Sequence, residues 1–167
     1  MKERSVVADN FVDMNGLKLK KKVRAIITNE DNEFLLIRPH GYKDDSWTFV
    51  GGGVEENETD LEALHRELKE EVNIHDIAAI NESSLVNWFA FSEAFKAKKK
   101  FDYDGQHAKY FHVCVPNKTE IILQPCEVAD YCWSSDAEVL SRITVSKHRE
   151  IFNFIAEEFD LLSALRA

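Results

Sequence analysis

The segment 51–74, GGGVEENETDLEALHRELKEEVNI, constrains the fold more than any other stretch of the chain. Three glycines lead into a dense run of acids. Thr59 or Glu58 stands at the start of a run in which Leu61, Leu64, Leu68 and Val72 recur at helical spacing and predict a helix over 59–72 with one apolar stripe. A helix advances about 100° per residue. Glu67, Glu70 and Glu71, at i, i+3 and i+4, therefore share one face beside the leucine stripe, and Ala63 leaves space on that face. Carboxylates this close repel unless a cation neutralises them, and hard divalent cations prefer oxygen ligands. Arg66 precedes Glu70 by one turn and is placed to orient it. Gly51, Gly52 and Gly53 give the entering loop backbone freedom that other residues lack. A merely solvated acidic face is the competing explanation. The fixed offsets of glycines, acids and arginine weaken it.

The rest of the chain predicts an α+β layered domain. Residues 23–28 form a β-rich run, 29–32 supply turn chemistry and 34–37 return, which together read as a hairpin. The preceding KLKKK (18–22) reads as a solvated strand edge. SWTFVGGG is a short strand entering the glycine turn, and SSLVNWFAF, AKYFHVCV and TEIILQ read as strands, with the charged KAKKKFDYDG as a link. DYCW ends a strand before a short helix over 135–140. The C-terminal SKHREIFNFIAEEFDLL reads as an amphipathic helix with Ile151, Phe154, Ile155 and Phe159 on its apolar side. Strands and helices do not alternate regularly, which disfavours a doubly wound sheet.

Composition narrows the function classes. The chain has 167 residues, a length that predicts one domain over 1–167. Its net charge of −9 disfavours affinity for duplex nucleic acid, yet permits a polyphosphate substrate carried with a metal cation. No apolar run approaches a membrane span, and the N-terminal MKERSVVADN lacks an apolar signal core. Cys114, Cys126 and Cys132 are odd in number and lack zinc-type spacing, so reduced thiols in a cytoplasmic protein are expected.

The positions Gly52, Glu58, Arg66, Glu67, Leu68, Glu70, Glu71 and Ile74 resemble the Nudix box, G-x5-E-x7-R-E-U-x-E-E-x-G-U with U aliphatic. Asn73 replaces the last glycine, and asparagine is the next-best residue for a left-handed helix cap. The resemblance implies a Nudix α/β/α sandwich with a mixed sheet and a loop-helix-loop catalytic motif. It also implies Mg²⁺- or Mn²⁺-dependent hydrolysis of a nucleoside diphosphate linked to another moiety. Glu67, Glu70 and Glu71 would ligate the metal. Arg66, with Glu58, would shape the catalytic site, and Gly52 and Gly53 would line the substrate.

Two downstream motifs extend the likeness. GQHAKYF (105–111) is similar to the G-Q-x-x-K-W-F pattern of Nudix dinucleoside polyphosphate hydrolases and RNA 5′-pyrophosphohydrolases, and makes Gln106 and Lys109 candidate phosphate contacts. A turn followed by a core strand with Lys109 solvated is the equal alternative. In EVADYCW, Glu127 stands six residues before Trp133, where such relatives carry a further metal ligand or base. Arg38, after the hairpin's return strand, is a further candidate substrate contact. Tyr42, Phe49, Tyr103 and Tyr131 are candidates for stacking on a base. The resemblance thus leads to a dinucleoside polyphosphate as first substrate, with the RNA 5′ end and free nucleoside triphosphates as alternatives. A nucleotide-binding regulator without hydrolysis is the reading from another class. The oligomeric state is left open.

Overall fold

The computed structural model describes residues 9–42 and 46–163. Residues 1–8, most of the N-terminal stretch read above for a signal core, lie outside the described residues. The spine of the fold is β2 (Leu17–Thr28), long enough to serve several neighbours. On one side it pairs in parallel with β6 (Gly105–Cys114) over ten residues, from Leu19↔Gly105 to Thr28↔Cys114. On the other it meets β1 (Phe11–Met14), then β4 (Val50–Gly53), then β3 (Phe34–Pro39), all antiparallel. β5 (Ala79–Ala90) and β7 (Val128–Ser134) complete the seven-stranded mixed sheet, in the path β5-β6-β2-β3-β7.

Strand alternation sends successive side chains to opposite faces and builds two cores. Val23, Ala25, Ile27, Leu35 and Ile37 pack with Ala63, Leu64, Leu68 and Val72 of α1 (Asp60–Val72). Ile26, Phe34 and Leu36 pack with α3 (Asp136–Arg142) and α4 (Ser146–Glu158). The sheet is therefore the middle layer of an α+β sandwich. No helix among the described residues is long and apolar enough to cross a membrane.

Several expectations change. The lysine run is not an edge. It lies in the central strand β2, because its lysines alternate with the buried Leu19 and Val23 and have pairing strands on both sides. TEIILQ is not a strand. Its Ile122 and Gln124 amides donate to the Val72 and Glu71 carbonyls, the unsatisfied acceptors at the end of α1, while Ile121 and Leu123 pack on the core. KAKKKFDYDG contains part of a helix, α2 (Glu93–Lys99), capped by Ser92 and with no buried residue. Leu61 is half exposed, and Ala63 takes its place against the core. On α4, Phe154 is likewise exposed. Phe152 is the buried ring, edge-on to Phe34 at 5.0 Å and stacked near Phe49 at 6.1 Å.

Both ends of α1 follow from its sequence. Thr59 and Glu62 form a reciprocal capping box at the start. Asn73 ends the helix in the left-handed conformation, φ 59° and ψ 35°, with its amide on the Leu68 and Lys69 carbonyls. Asn73→Gly is expected to be tolerated, with a gain in stability below about 1 kcal/mol. The contact of the Asn73 amide oxygen with His75 at 2.9 Å is all the side chain would give up. Thermal melts check this, and a clear fall in Tm would show that contact to be needed.

Candidate active site

Arg66 ties the acidic helix to the glycine loop. Its Nε and Nη2 donate to both oxygens of Glu58 at 2.7 and 2.9 Å, and Nη2 also donates to the Gly53 carbonyl at 2.8 Å. Its Nη1 reaches Glu67 at 2.9 Å and Glu70 at 3.3 Å. The ion pair expected with Glu70 is thus present, but the two-pronged contact with Glu58 dominates. The guanidinium holds the Glu58 carboxyl below the usual carboxylate range.

Glu67 and Glu71 are almost fully buried, each 7% exposed, one helical turn apart. Burial, then the adjoining Glu67 carboxylate, pushes the Glu71 carboxyl up to about 9, with the charge of Glu127 adding to the effect. A side chain at Gly52 would begin 2.2 Å from Glu67 Oε1, so glycine lets the strand pass without moving this carboxylate. Glu70 is more open and rests against Arg66.

Gly51, Gly52, Glu71, Glu127 and Val128 line a cavity of about 250 Å³ together with Lys22, Arg24, Ile37, Pro39 and Tyr42. Carboxylates from α1 and from the turn before β7 meet two cations of β2 across the glycine strand. Burial, followed by the neighbouring Arg24 and Lys20, lowers the Lys22 ammonium below its ordinary range. Arg24 is steadied by donating to the Phe49 carbonyl at 3.1 Å. Sequence reasoning missed Lys22 and Arg24. The available signal was their alternation with the apolar Val23 and Ala25, which places both on one face of the strand.

The match to the NUDIX domain model spans residues 18–154, most of the chain. The chain belongs to the Nudix family. It is 36% identical over 118 residues to a protein of a Nitratiruptor species named RNA pyrophosphohydrolase, covering 69% of this chain and 74% of that one. A protein of the same name from a Sulfurovum species is 30% identical over 118 residues, covering 68% and 73%. Among solved structures, the E. coli dihydroneopterin triphosphate pyrophosphohydrolase has a similar fold. The TM-score is 0.67 at 21% identity, over 82% of this chain and 95% of that one. The protein is a Nudix hydrolase, an enzyme of the pyrophosphohydrolase type.

Nudix hydrolases use divalent cations, and the donor chemistry here fits one. Among the described residues, no three acidic, histidine or cysteine side chains are gathered tightly enough to form a ligand cluster by themselves. The buried Glu67–Glu71 pair is nonetheless a repulsive oxygen-rich wall with Glu127 beside it. Such a wall suits a hard cation that completes its shell with water and substrate phosphates. Gly52→Ala tests the cradle. The added methyl must displace the Glu67 carboxylate, so turnover is expected to fall about tenfold or more for loss of ligand orientation. A steady-state assay at saturating Mg²⁺ checks this, and an unchanged rate would show that Glu67 need not sit there.

The remaining candidates divide. Gln106 pairs in register with Lys20 and Phe89, on the face of the sheet that carries Lys22 and Arg24. Lys109, three residues on, lies on the opposite face. It is paired with Asp60 at 3.2 Å and Glu82 at 3.3 Å beside the start of α1. The structure therefore does not bring Lys109 to the cavity. Arg38 is in register with Asp130 and does not line the cavity, although its neighbours Ile37 and Pro39 do. Gly53 contributes its carbonyl to Arg66. Of the four candidate rings, Tyr42 lies at the cavity. Phe49 is in the core, Tyr103 stacks on Phe101 and Tyr131 lies on β7. The cysteines are free thiols.

Proposed function

We propose that this Nudix domain, working as one unit over 1–167, removes pyrophosphate from the 5′-triphosphate end of RNA with Mg²⁺ or Mn²⁺. One observation carries the reading of the site: Glu71 and Glu127 face Lys22 and Arg24 across Gly51 and Gly52 in a single cavity. The dinucleoside polyphosphate favoured from the sequence becomes the second reading. Two curated relatives, each matched over two thirds of the chain, bear the name RNA pyrophosphohydrolase.

In this reading Glu67 and Glu71 would hold the cation, Glu70 would add a more exposed oxygen donor, and Glu127, in the same cavity as Glu71, would serve the ion or the attacking water. The bound ion supplies charge neutralisation of the phosphates and a lowered pKa for water. Lys22 and Arg24 hold phosphate oxygens. Gly52 lets the chain backbone approach them, and Tyr42 offers a ring for the first base. A carboxylate, Glu127 if it does not ligate the ion, takes a proton as the water oxygen bonds to phosphorus. The anhydride P–O bond breaks, and its electron pair leaves with the pyrophosphate. Arg66 positions Glu67 and Glu70 and touches no reacting atom.

The test is product release with Mg²⁺ from triphosphorylated RNA, diadenosine polyphosphate and free nucleoside triphosphate in parallel. The expected result is the highest kcat/KM on RNA. A preference for the dinucleotide would overturn the RNA assignment. Absence of hydrolysis on all three would favour a binding role.

A further inference from the structure

We infer that Lys18, Lys20, Lys22 and Arg24 form a phosphate track along β2, leading from the catalytic cavity to an aromatic platform that holds the single-stranded body of the RNA. The inference rests on the RNA reading above. Alternate residues of a strand share a face and stand about 6.7 Å apart. The contacts bear this out for each neighbouring pair. Lys22 and Arg24 line the cavity. Lys20 and Lys22 both flank Gly53, with Lys20 Cε 3.3 Å and Lys22 Nζ 3.6 Å from where a Cβ would lie. Lys18 and Lys20 both stand over the Phe11 ring, at 4.2 and 5.1 Å from its centre. Among the described residues none of these four cations makes a salt bridge, whereas the neighbouring Lys21, on the opposite face, is paired with Asp60 at 3.0 Å. A line of unpaired cations on a chain of net charge −9 calls for a linear anion of matching repeat. Its length, about 20 Å from Lys18 to Arg24, exceeds what a free nucleotide spans.

The far end of the track explains what α2 builds. Phe11 packs against Tyr103 at 5.9 Å, Tyr103 stacks on Phe101 at 4.7 Å, and Phe91 touches Phe89, Phe95 and Phe101. Phe89 and Phe95 expose 42% and 40% of their surfaces at the edge of this cluster. Exposed rings beside lysines form the kind of surface on which unpaired bases stack without regard to sequence. Acids are also present at this end. Asp104 is paired with Lys96 at 2.5 Å and accepts the Lys18 amide at 2.8 Å, which leaves the Lys18 ammonium on Phe11. Gln106, in register between Lys20 and Phe89, bridges track and platform. Duplex RNA buries its bases in its own stack and has none to offer the rings.

The experiment measures equilibrium binding of 3′-labelled, 5′-monophosphorylated RNA to the full chain, using a dinucleotide, an octanucleotide and an octamer duplex, over a range of salt. Hydrolysis of triphosphorylated RNA of the same two single-strand lengths is followed alongside. The single-stranded octamer is expected to bind about tenfold tighter than the dinucleotide. Lys18→Gln is expected to weaken the octamer alone and to lower the slope of log K against log salt by about 0.7. Phe95→Ala is expected to weaken it about tenfold with little change in slope. Both variants leave kcat on the dinucleotide unchanged. Equal binding of both lengths, equal binding of the duplex, or variants that weaken dinucleotide and octamer alike would overturn the track. Failure to hydrolyse triphosphorylated RNA with length-dependent binding intact would overturn the proposed reaction and leave the track standing.

Discussion

Glu71→Gln is expected to reduce turnover on the order of a thousandfold, the effect of several kcal/mol of lost charge stabilisation. The same variant is expected to be more stable than the parent when metal is removed. The sign follows from the carboxyl's position. Burial and Glu67 raise it to about 9 in the folded protein, far above its value in an unfolded chain. Between the ordinary carboxylate range and that value, the folded state keeps a proton that the unfolded state releases. Metal-free stability therefore falls as pH rises through this window. Glutamine has no proton to lose, so the variant should lack this pH dependence and melt higher at neutral and alkaline pH. Added Mg²⁺ should raise the Tm of the parent and barely move that of the variant. Melts with and without chelator from pH 5 to 9, beside a rate assay, check all three outcomes. A folded variant with unchanged turnover would remove Glu71 from the metal site.

The second large effect is expected at Glu127. It reaches the cavity from the turn before β7, held by the Gln124 side chain and carbonyl, both of which accept its amide. Neither contact uses the carboxylate, so Glu127→Gln should leave the melting temperature unchanged. A carboxylate that takes the proton of the attacking water is worth about a hundredfold or more in kcat. If Glu127 is the base, metal affinity stays the same. If it is a ligand, excess Mg²⁺ restores part of the rate. Asp130→Asn is the control, because Asp130 stands in β7 in register with Arg38, away from the cavity lining. Full activity in Glu127→Gln together with loss in Asp130→Asn would transfer the role to Asp130.

Much of the fold and part of the candidate site were legible in the residues themselves. The helix from Asp60 to Val72 depends on neighbours a few positions apart, and local spacing specifies it, while its left-handed end at Asn73 was implied by the resemblance to the Nudix box. Local spacing likewise specifies the shared face of Glu67 and Glu71, the Arg66 contact with Glu70 and the turn between β2 and β3. What the sequence left undecided depended on partners far along the chain. Lys18 to Lys22 carry the composition of an exposed edge. They became a central strand because β6 arrives in parallel from more than eighty residues away, and strand pairing is not written in either segment alone. TEIILQ has the composition of a strand, yet the open carbonyls of α1 took its amides. Gln106 and Lys109 read as one motif. A three-residue step on a strand reverses the face, so the fold sent one toward the cations of β2 and the other to Asp60. The sequence by itself determined the acidic helix and the family it belongs to, because those are contacts within one or two helical turns. Only the tertiary structure decided that Lys22 and Arg24 face Glu71 and Glu127, because that meeting needs a central strand, a side-chain-free glycine strand and a turn from the far end of the sheet to close on one cavity.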